Sequence, residues 1–382
     1  MDFELSEEHK LLRKTTRKFA EEVIRPAAQE YDESAKYPYE IVEQAKKLDL
    51  IAPALPVEYG GAGMDFLAQA IVIEELFRGD AGIGSAISAR PFGSDMLLEF
   101  GTDAQKKKYL LPVGRGDWVM GSAITEPEAG SDVASMKTRA EKKGSEYVIN
   151  GAKMFITNGT IANFLIVFAR TTMNPPERHM GITAFVVESD RKGYIAEPLK
   201  KKMGIRASDL AEITLKDVRV PEENIIGQLD MGFYQLMQFF GRGRVAIGAQ
   251  AVGIAQGAFD EAFKYAQERQ TFGRPIVDFQ AIQFKLADMA TDIEAARLLT
   301  YKGAWLVSQG GNPAREASMA KLFASRVARE VANEALQIHG GYGYIKEYPV
   351  ERFYRDAKIT ELYEGTSEIQ RLIIIRSLLG KI

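Results

Sequence analysis

Cysteine is absent from this 382-residue chain. That excludes disulfides, thiolate metal ligands and a cysteine nucleophile, and it is compatible with a reducing compartment. Histidine is scarce: His9, His179 and His339 lie far apart and without ligand spacing. Neither a zinc centre nor a histidine-based triad is expected, so carboxylates must supply any acid–base chemistry. An excess of one charge is missing too, the net value being −3. Any anionic ligand must then be held by local basic residues. Aromatic residues are not interleaved with bases as in a nucleic-acid groove, so no nucleic-acid partner is expected. No stretch approaches the ~20 apolar residues of a membrane span. The charged opening "MDFELSEEHKLLRK" holds no apolar signal core. The expectation is a soluble, cytoplasmic protein without a metal.

The hydrophobic period divides the chain into three. Residues 1–120 read as helical. Ser6 followed by Glu7 and Glu8 forms an N-cap with an acidic first turn, and Leu12, Phe19 and Val23 recur at helical spacing. Pro26 is expected to bend or interrupt that helix. A second helical pattern covers 38–49, and "PALPVEYGGAGMD" (53–65) is a loop. "FLAQAIVIEELFR" (66–78) is too apolar for a surface helix, and a further helix is expected over 83–100. Over 121–228 the period becomes alternating. "EYVINGAKMFITN", "NFLIVFAR", "GITAFVVES" and "AEITLKDVRVP" predict a compact antiparallel β domain. From 229 to 382 the helical period returns, first with Ala and Gly concentrated on one face and then as a clean amphipathic helix. The fold class predicted is mostly α with an inserted β domain.

Five segments could carry chemistry. Glu364, between Tyr363 and Gly365 and followed by Thr366 and Ser367, is a carboxylate in apolar company; it reads equally as a cap or an ion-pair partner. "TEPEAGSD" (125–132) offers backbone N–H groups and the hydroxyls of Thr125 and Ser131 to a polar ligand, or is a plain turn. "RQTFG" (269–273) sets Arg269, a possible phosphate partner, beside Thr271 and Phe272, or is an exposed helix end. "QIHGGYGY" (337–344) lacks a Walker lysine and a preceding strand, so it is neither a P-loop nor a dinucleotide fingerprint. Arg244, entering an apolar helix, could bind an anion or close a helix interface. Lys200, Lys201 and Lys202 read as a solvated turn.

Together "ITEPEAGSD", "KMFITNG", "RQTFGRPI", "QIHGGYGY" and "ITELYEGTSEIQR", in this order and spacing, resemble the acyl-CoA dehydrogenase family over essentially the whole chain, nearest to its short-chain (butyryl-CoA type) members. The resemblance implies an N-terminal helical domain, a central antiparallel β domain and a C-terminal four-helix bundle, assembled as a homotetramer. It implies FAD as cofactor. Ser122, Ala123, Ile124, Thr125, Gly130 and Ser131, with Phe155, Ile156 and Thr157, would line the flavin and the ligand. Arg269, Thr271 and Gln280 would reach the FAD of a neighbouring subunit, as would Gln337, Ile338, His339, Gly340 and Gly341. Thr366, Ser367 and Glu368 would meet the adenosine-diphosphate part, Ser131 and Arg244 the CoA part, and Gly365 the substrate.

By the same resemblance Glu364 is the base that removes the α-proton of an acyl-CoA. The β-hydrogen leaves as hydride to the flavin, and electrons pass to electron-transfer flavoprotein. Burial should raise the Glu364 pKa toward neutrality. Relatives that carry the base on the other helix have it where this chain has Gly243. Phe155 replaces a common Trp, and Gly241 stands where many relatives carry Asp. Gly84 aligns with the arginine of glutaryl-type enzymes, which weighs against a dicarboxylic substrate. Arg90 and Asp95 lie on the expected helix over 83–98, at the acyl end; they either face solvent or meet a functionalised or cyclic acyl group. The alternatives are an acyl-CoA oxidase, an enoyl-CoA reductase, or a non-catalytic interaction protein on an inherited fold.

Overall fold

In the computed structural model, which describes residues 4–311 and 313–381, Pro26 does not break the first helix. Helix α1 (Glu7–Phe19) starts on Ser6, whose hydroxyl accepts the His9 N–H at 3.2 Å. It continues through a π-helical turn, Ala20–Ile24, into α2 (Arg25–Ser34), which carries Pro26 in its first two positions. The wider turn accommodates the proline ring and the missing N–H, so the chain stays helical where interruption was expected.

Helix α3 (Tyr39–Lys46) follows, then α4 (Phe66–Gly79), capped by Asp65, which accepts the Ala68 N–H at 2.8 Å. As its composition requires, α4 is buried almost all round, Glu74 and Glu75 included. Each carboxylate is paired, Glu75 with Arg17 at 2.7 Å and Glu74 with Arg297 at 2.9 Å, which is what makes their burial tolerable. The single helix expected over 83–98 is instead two, α5 (Ala81–Ser88) and α6 (Ser94–Phe100). Pro91 disfavours helix at Arg90, and Gly93 takes φ = 109° between them. The short helices α7 (Asp103–Gln105) and α8 (Leu111–Gly114) complete this part.

The middle of the chain forms β1 (Met120–Ala123), β2 (Arg139–Lys143), β3 (Glu146–Thr157), β4 (Phe164–Arg170), β5 (Ile182–Glu188), β6 (Tyr194–Pro198), β7 (Leu210–Pro221) and β8 (Ile225–Ile226). The sheet runs β6-β7-β3-β2-β4-β5-β8. It is mixed rather than purely antiparallel, because β1 and β2 both pair in parallel with β4. Strand β4 explains its place. Phe164, Ile166 and Phe168 face the helical core, while Leu165, Val167 and Ala169 face a second core inside the β domain. Both faces are buried, so the strand reads as a continuous apolar run.

The remaining helices are α9 (Gly232–Glu268), α10 (Gln280–Ser308), α11 (Ala314–His339), α12 (Val350–Ala357) and α13 (Ser367–Leu378). Between α9 and α10 lies a small hairpin, β9 (Gln270–Thr271) and β10 (Arg274–Pro275). Helices α9, α10, α11 and α13 make the C-terminal bundle, with α12 packed across α9 and α11. The small residues on α9 have a purpose. A Cβ on Gly253 would stand 2.3 Å from the Glu74 carbonyl oxygen, and one on Gly257 2.6 Å from that of Arg78. Both contacts are with α4, so the N- and C-terminal helices share one core. Among the described residues no helix is long and apolar enough to cross a membrane.

Candidate active site

Glu364 sits in a turn between α12 and α13, opposite the first third of α9. It takes φ = 53° and Gly365 takes φ = 89°. The left-handed conformation suits glycine but costs a glutamate about 1 kcal/mol or more, so the turn must be held from outside. Lys321 of α11 donates to the Gly365 carbonyl at 2.6 Å. Gln370 of α13 donates to the same oxygen at 2.7 Å and to the Glu364 carbonyl at 3.3 Å. The Tyr363 hydroxyl bonds Gln250 of α9.

The carboxylate projects toward α9 where that helix has no side chain. A Cβ on Gly243 would come within 2.9 Å of Glu364 Oε2. That oxygen is sealed from solvent and has no hydrogen-bond partner. Burial raises the Glu364 pKa to about 7, against the opposing pull of Arg244 and Lys321. The cations are perturbed in turn: burial lowers Arg244 to about 10 and Lys321 to about 8. Arg244 Nε is buried and unpartnered, and among the described residues this arginine forms no ion pair. A carboxylate poised near neutrality, beside unspent hydrogen-bonding capacity, suits proton transfer.

The segments 122–131 and 153–158 form one wall. The Met154 N–H donates to the Thr125 carbonyl at 2.8 Å, and the buried Lys153 ammonium donates to the Ile124 carbonyl at 3.0 Å and Glu126 Oε1 at 2.9 Å. Glu126 also accepts the Lys137 and Thr138 N–H groups at 2.6 and 3.0 Å. Burial pushes the Glu126 carboxyl upward, but the Lys153 charge and these donors outweigh it and hold it below the usual carboxylate range. An irregular register between Lys153 and Ile156 turns Phe155 outward at φ = 60°, with 63% of its surface exposed. Ser122 is buried with a partnerless hydroxyl, Ala123, Ile124 and Ile156 are buried, Thr157 is half-buried, and Gly130 and Ser131 are exposed.

A second group gathers elsewhere. The exposed Arg269 lies at the end of α9, its guanidinium 5.4 Å from the Tyr342 ring. Thr271 and Phe272 are exposed on the hairpin and Gln280 at the start of α10, while Gln337, Gly340 and Gly341 are exposed at the end of α11. Ile338 and His339 point inward instead. His339 Nδ1 bonds the Ala335 carbonyl at 2.8 Å and the ring stacks on Tyr265 at 4.2 Å. At 1.5 Å per residue, Arg269 is roughly 39 Å along α9 from Gly243. One protomer therefore does not bring this group to Glu364.

Two expectations are corrected. Arg90 is buried, donating to the Gly116 carbonyl at 2.9 Å and the Tyr37 hydroxyl at 3.4 Å, so it ties the N-terminal helices together and offers no charge to an acyl group. Lys202 is half-buried rather than fully solvated; its ammonium bonds the carbonyls of Ile205 and Ser208. Asp95 pairs with Arg242 of α9 at 3.4 Å. Sequence reasoning missed Lys321, Gln370, Lys153 and Glu126. The first two read as polar positions on helices, and only a lysine on the otherwise apolar stripe of α11 hinted at a buried role. Thr366 and Ser367, half-buried, and the exposed Glu368 open α13 beside the Glu364 turn.

Comparisons with known proteins identify the family. The acyl-CoA dehydrogenase N-terminal, middle and C-terminal domain families match residues 6–117, 121–218 and 230–379. The chain is 46% identical over 376 residues to the 3-(aryl)acrylate reductase of Clostridium sporogenes, covering 98% of this chain and 99% of that protein. It is 42% identical over 380 residues to the Caffeyl-CoA reductase-Etf complex subunit CarC of Acetobacterium woodii, with 98% and 99% covered. Butyryl-CoA dehydrogenase from Megasphaera elsdenii superposes with a TM-score of 0.95 at 40% identity, covering 99% of this chain and 100% of that one. The chain belongs to the acyl-CoA dehydrogenase family.

Proposed function

We propose that this enzyme interconverts a short acyl-CoA thioester and its 2-enoyl-CoA, with Glu364 handling the proton at the α-carbon. The observation that carries the reading is the sealed, partnerless Glu364 Oε2, raised to about 7 and facing the gap left by Gly243. In the oxidative direction Glu364 takes the α-proton while the β-hydrogen leaves with its electron pair, so the substrate loses two hydrogens and gains one double bond. The Glu364 N–H, free of an intramolecular partner among the described residues, is available to the thioester carbonyl, where it stabilises developing negative charge. Arg244 and Ser131 would hold the CoA portion, with Gly365 beside the thioester.

The wall opposite fits FAD. The exposed Phe155 ring offers a stacking face, and the orphaned Ser122 hydroxyl, with Thr125 and Thr157, offers polar atoms for the edge of a heteroaromatic ring. When bound, FAD supplies the two-electron acceptor or donor for the β-hydrogen. Thr366, Ser367 and Glu368 would meet its diphosphate side. Arg269, Thr271, Gln280 and the segment Gln337–Gly341 would meet the FAD of a second copy, in the homotetramer that the family resemblance implies. Electron-transfer flavoprotein is the proposed redox partner, and a cysteine-free chain suits a cytoplasmic setting.

The second reading is an enoyl-CoA reductase, favoured by the two relatives named as reductases. A carboxyl titrating near 7 can serve either direction, with opposite dependence on pH in the two. Oxidation needs the ionised form, so its rate rises as pH increases through about 7; reduction needs the protonated form, so its rate falls there. The test is anaerobic mixing of the FAD-loaded enzyme with butyryl-, 3-phenylpropionyl- and glutaryl-CoA, and of the reduced enzyme with the matching enoyl-CoAs, followed by flavin absorbance. Glu364→Gln is expected to bind FAD normally and to lose about 10³-fold in rate either way. Wild-type bleaching by butyryl-CoA in that variant would sink the assignment.

A further inference from the structure

Lys321 is buried to 1% exposure, yet its only hydrogen bond among the described residues is the one to the Gly365 carbonyl. A buried ammonium with one partner is expensive, and an apolar side chain would pack there at lower cost. Nothing in the helix bundle requires the charge. What the charge faces is the Glu364 turn.

We propose that Lys321 and Gln370 are positioning residues for the base: together they clamp the Gly365 carbonyl, fixing the left-handed Glu364–Gly365 turn, and the Lys321 ammonium sets a positive charge against that turn. This inference rests on the reading of Glu364 as the base. The two donors reach one oxygen from different helices, α11 and α13, and so fix the turn against both rotation and withdrawal. The charged groups acting on Glu364 are Arg244 from α9 and Lys321 from α11. Those acting on Lys321 are Glu364, Arg244, Glu361 and Glu368. Neither cation forms a direct ion pair with Glu364 among the described residues. A direct bridge would hold the carboxylate too strongly ionised to accept a proton, whereas a charge one step removed only offsets desolvation. Arg244 is assigned to the CoA portion, whereas Lys321 is anchored to the backbone of the turn itself.

The experiment is an infrared pH titration of the Glu364 carboxyl band in the FAD-loaded protein without acyl ligand. The band is identified by its loss in Glu364→Gln. Lys321→Met is expected to move the titration up by about one pH unit, and Lys321→Arg to leave it in place. The acid limb of acyl-CoA oxidation should move by the same amount, a roughly tenfold loss of rate below both midpoints and none above them. Lys321→Met titrating at the wild-type pH would overturn the proposal. Should that variant not fold, Gln370→Leu decides: a slower enzyme with an unmoved titration supports the clamp, while unchanged rate overturns it. If no acyl- or enoyl-CoA reacts with the wild type, the functional reading fails, and the infrared titration still reports on the Lys321 charge beside Glu364.

Discussion

Replacing Gly243 with alanine adds one methyl group where the distance to Glu364 Oε2 would be 2.9 Å. The carboxylate must swing aside, and a displacement near 1 Å at a reacting group costs on the order of 10² in rate. Gly243→Ala is therefore expected to lose about that factor in acyl-CoA oxidation, while its stability does not fall, because the gain of up to about 1 kcal/mol in helix propensity is opposed only by contact with a movable side chain. Chemical denaturation and single-turnover kinetics on the same preparation check both halves. At this scale the sequence was legible where a residue sits in a distinctive local string. Glu364 could be found because "YEGTSE" surrounds it and competing chemistries were missing. Lys321 could not, because its partner carbonyl is 44 residues away and only the packing of α11 against the final turn brings them together.

The helices are joined by glycines whose role only packing reveals. On α9, Gly253→Ala would gain up to about 1 kcal/mol in helix propensity. It would also force a methyl to 2.3 Å from a backbone oxygen of α4, which cannot rotate away. Overpacking of that kind costs about 1–3 kcal/mol, so the variant is expected to be destabilised by roughly 1–2 kcal/mol net, measurable as a lower denaturant midpoint. The Ala/Gly content of this helix announced close packing, but the partner was legible only in three dimensions. The same limit explains the other departures. Antiparallel strands were expected from alternation, yet β4 is buried on both faces, which hides the face it presents and the parallel neighbour it takes. A proline was read as a break, yet a π turn absorbed it. At 83–98 the reverse held, because the turn at Arg90 is fixed by β1, whose Met120 N–H donates to the Arg90 carbonyl at 3.0 Å.

Over the whole molecule, the three parts of the chain meet at a buried acidic junction. Asp80 caps α5 and pairs with Arg352 at 2.8 Å, while Asp356 accepts the Ile205 N–H at 2.6 Å and Asp32 pairs with Arg355 at 2.7 Å. Burial, reinforced by the Asp80 charge, raises Asp356 to about 7. The folded state thus holds a proton on Asp356 that the unfolded chain releases near pH 4, so this group makes stability fall as pH rises from about 4 to about 7 and adds no further slope above that. Asp356→Asn, which still offers an oxygen to Ile205, is expected to flatten that slope relative to wild type, and denaturant midpoints at pH 5 and pH 8 check it. The length of α9 reaches further still. If one rod supports the base at Gly243 and, through Arg269, the cofactor of another copy, then cofactor occupancy obeys mass action in the protein itself. Dilution should release flavin, added FAD should shift the assembly toward its larger form, and the apparent flavin affinity should tighten with protein concentration. Flavin fluorescence followed across a dilution series that dissociates the assembly reads this directly, and an affinity unchanged across that dissociation would confine each cofactor to a single chain.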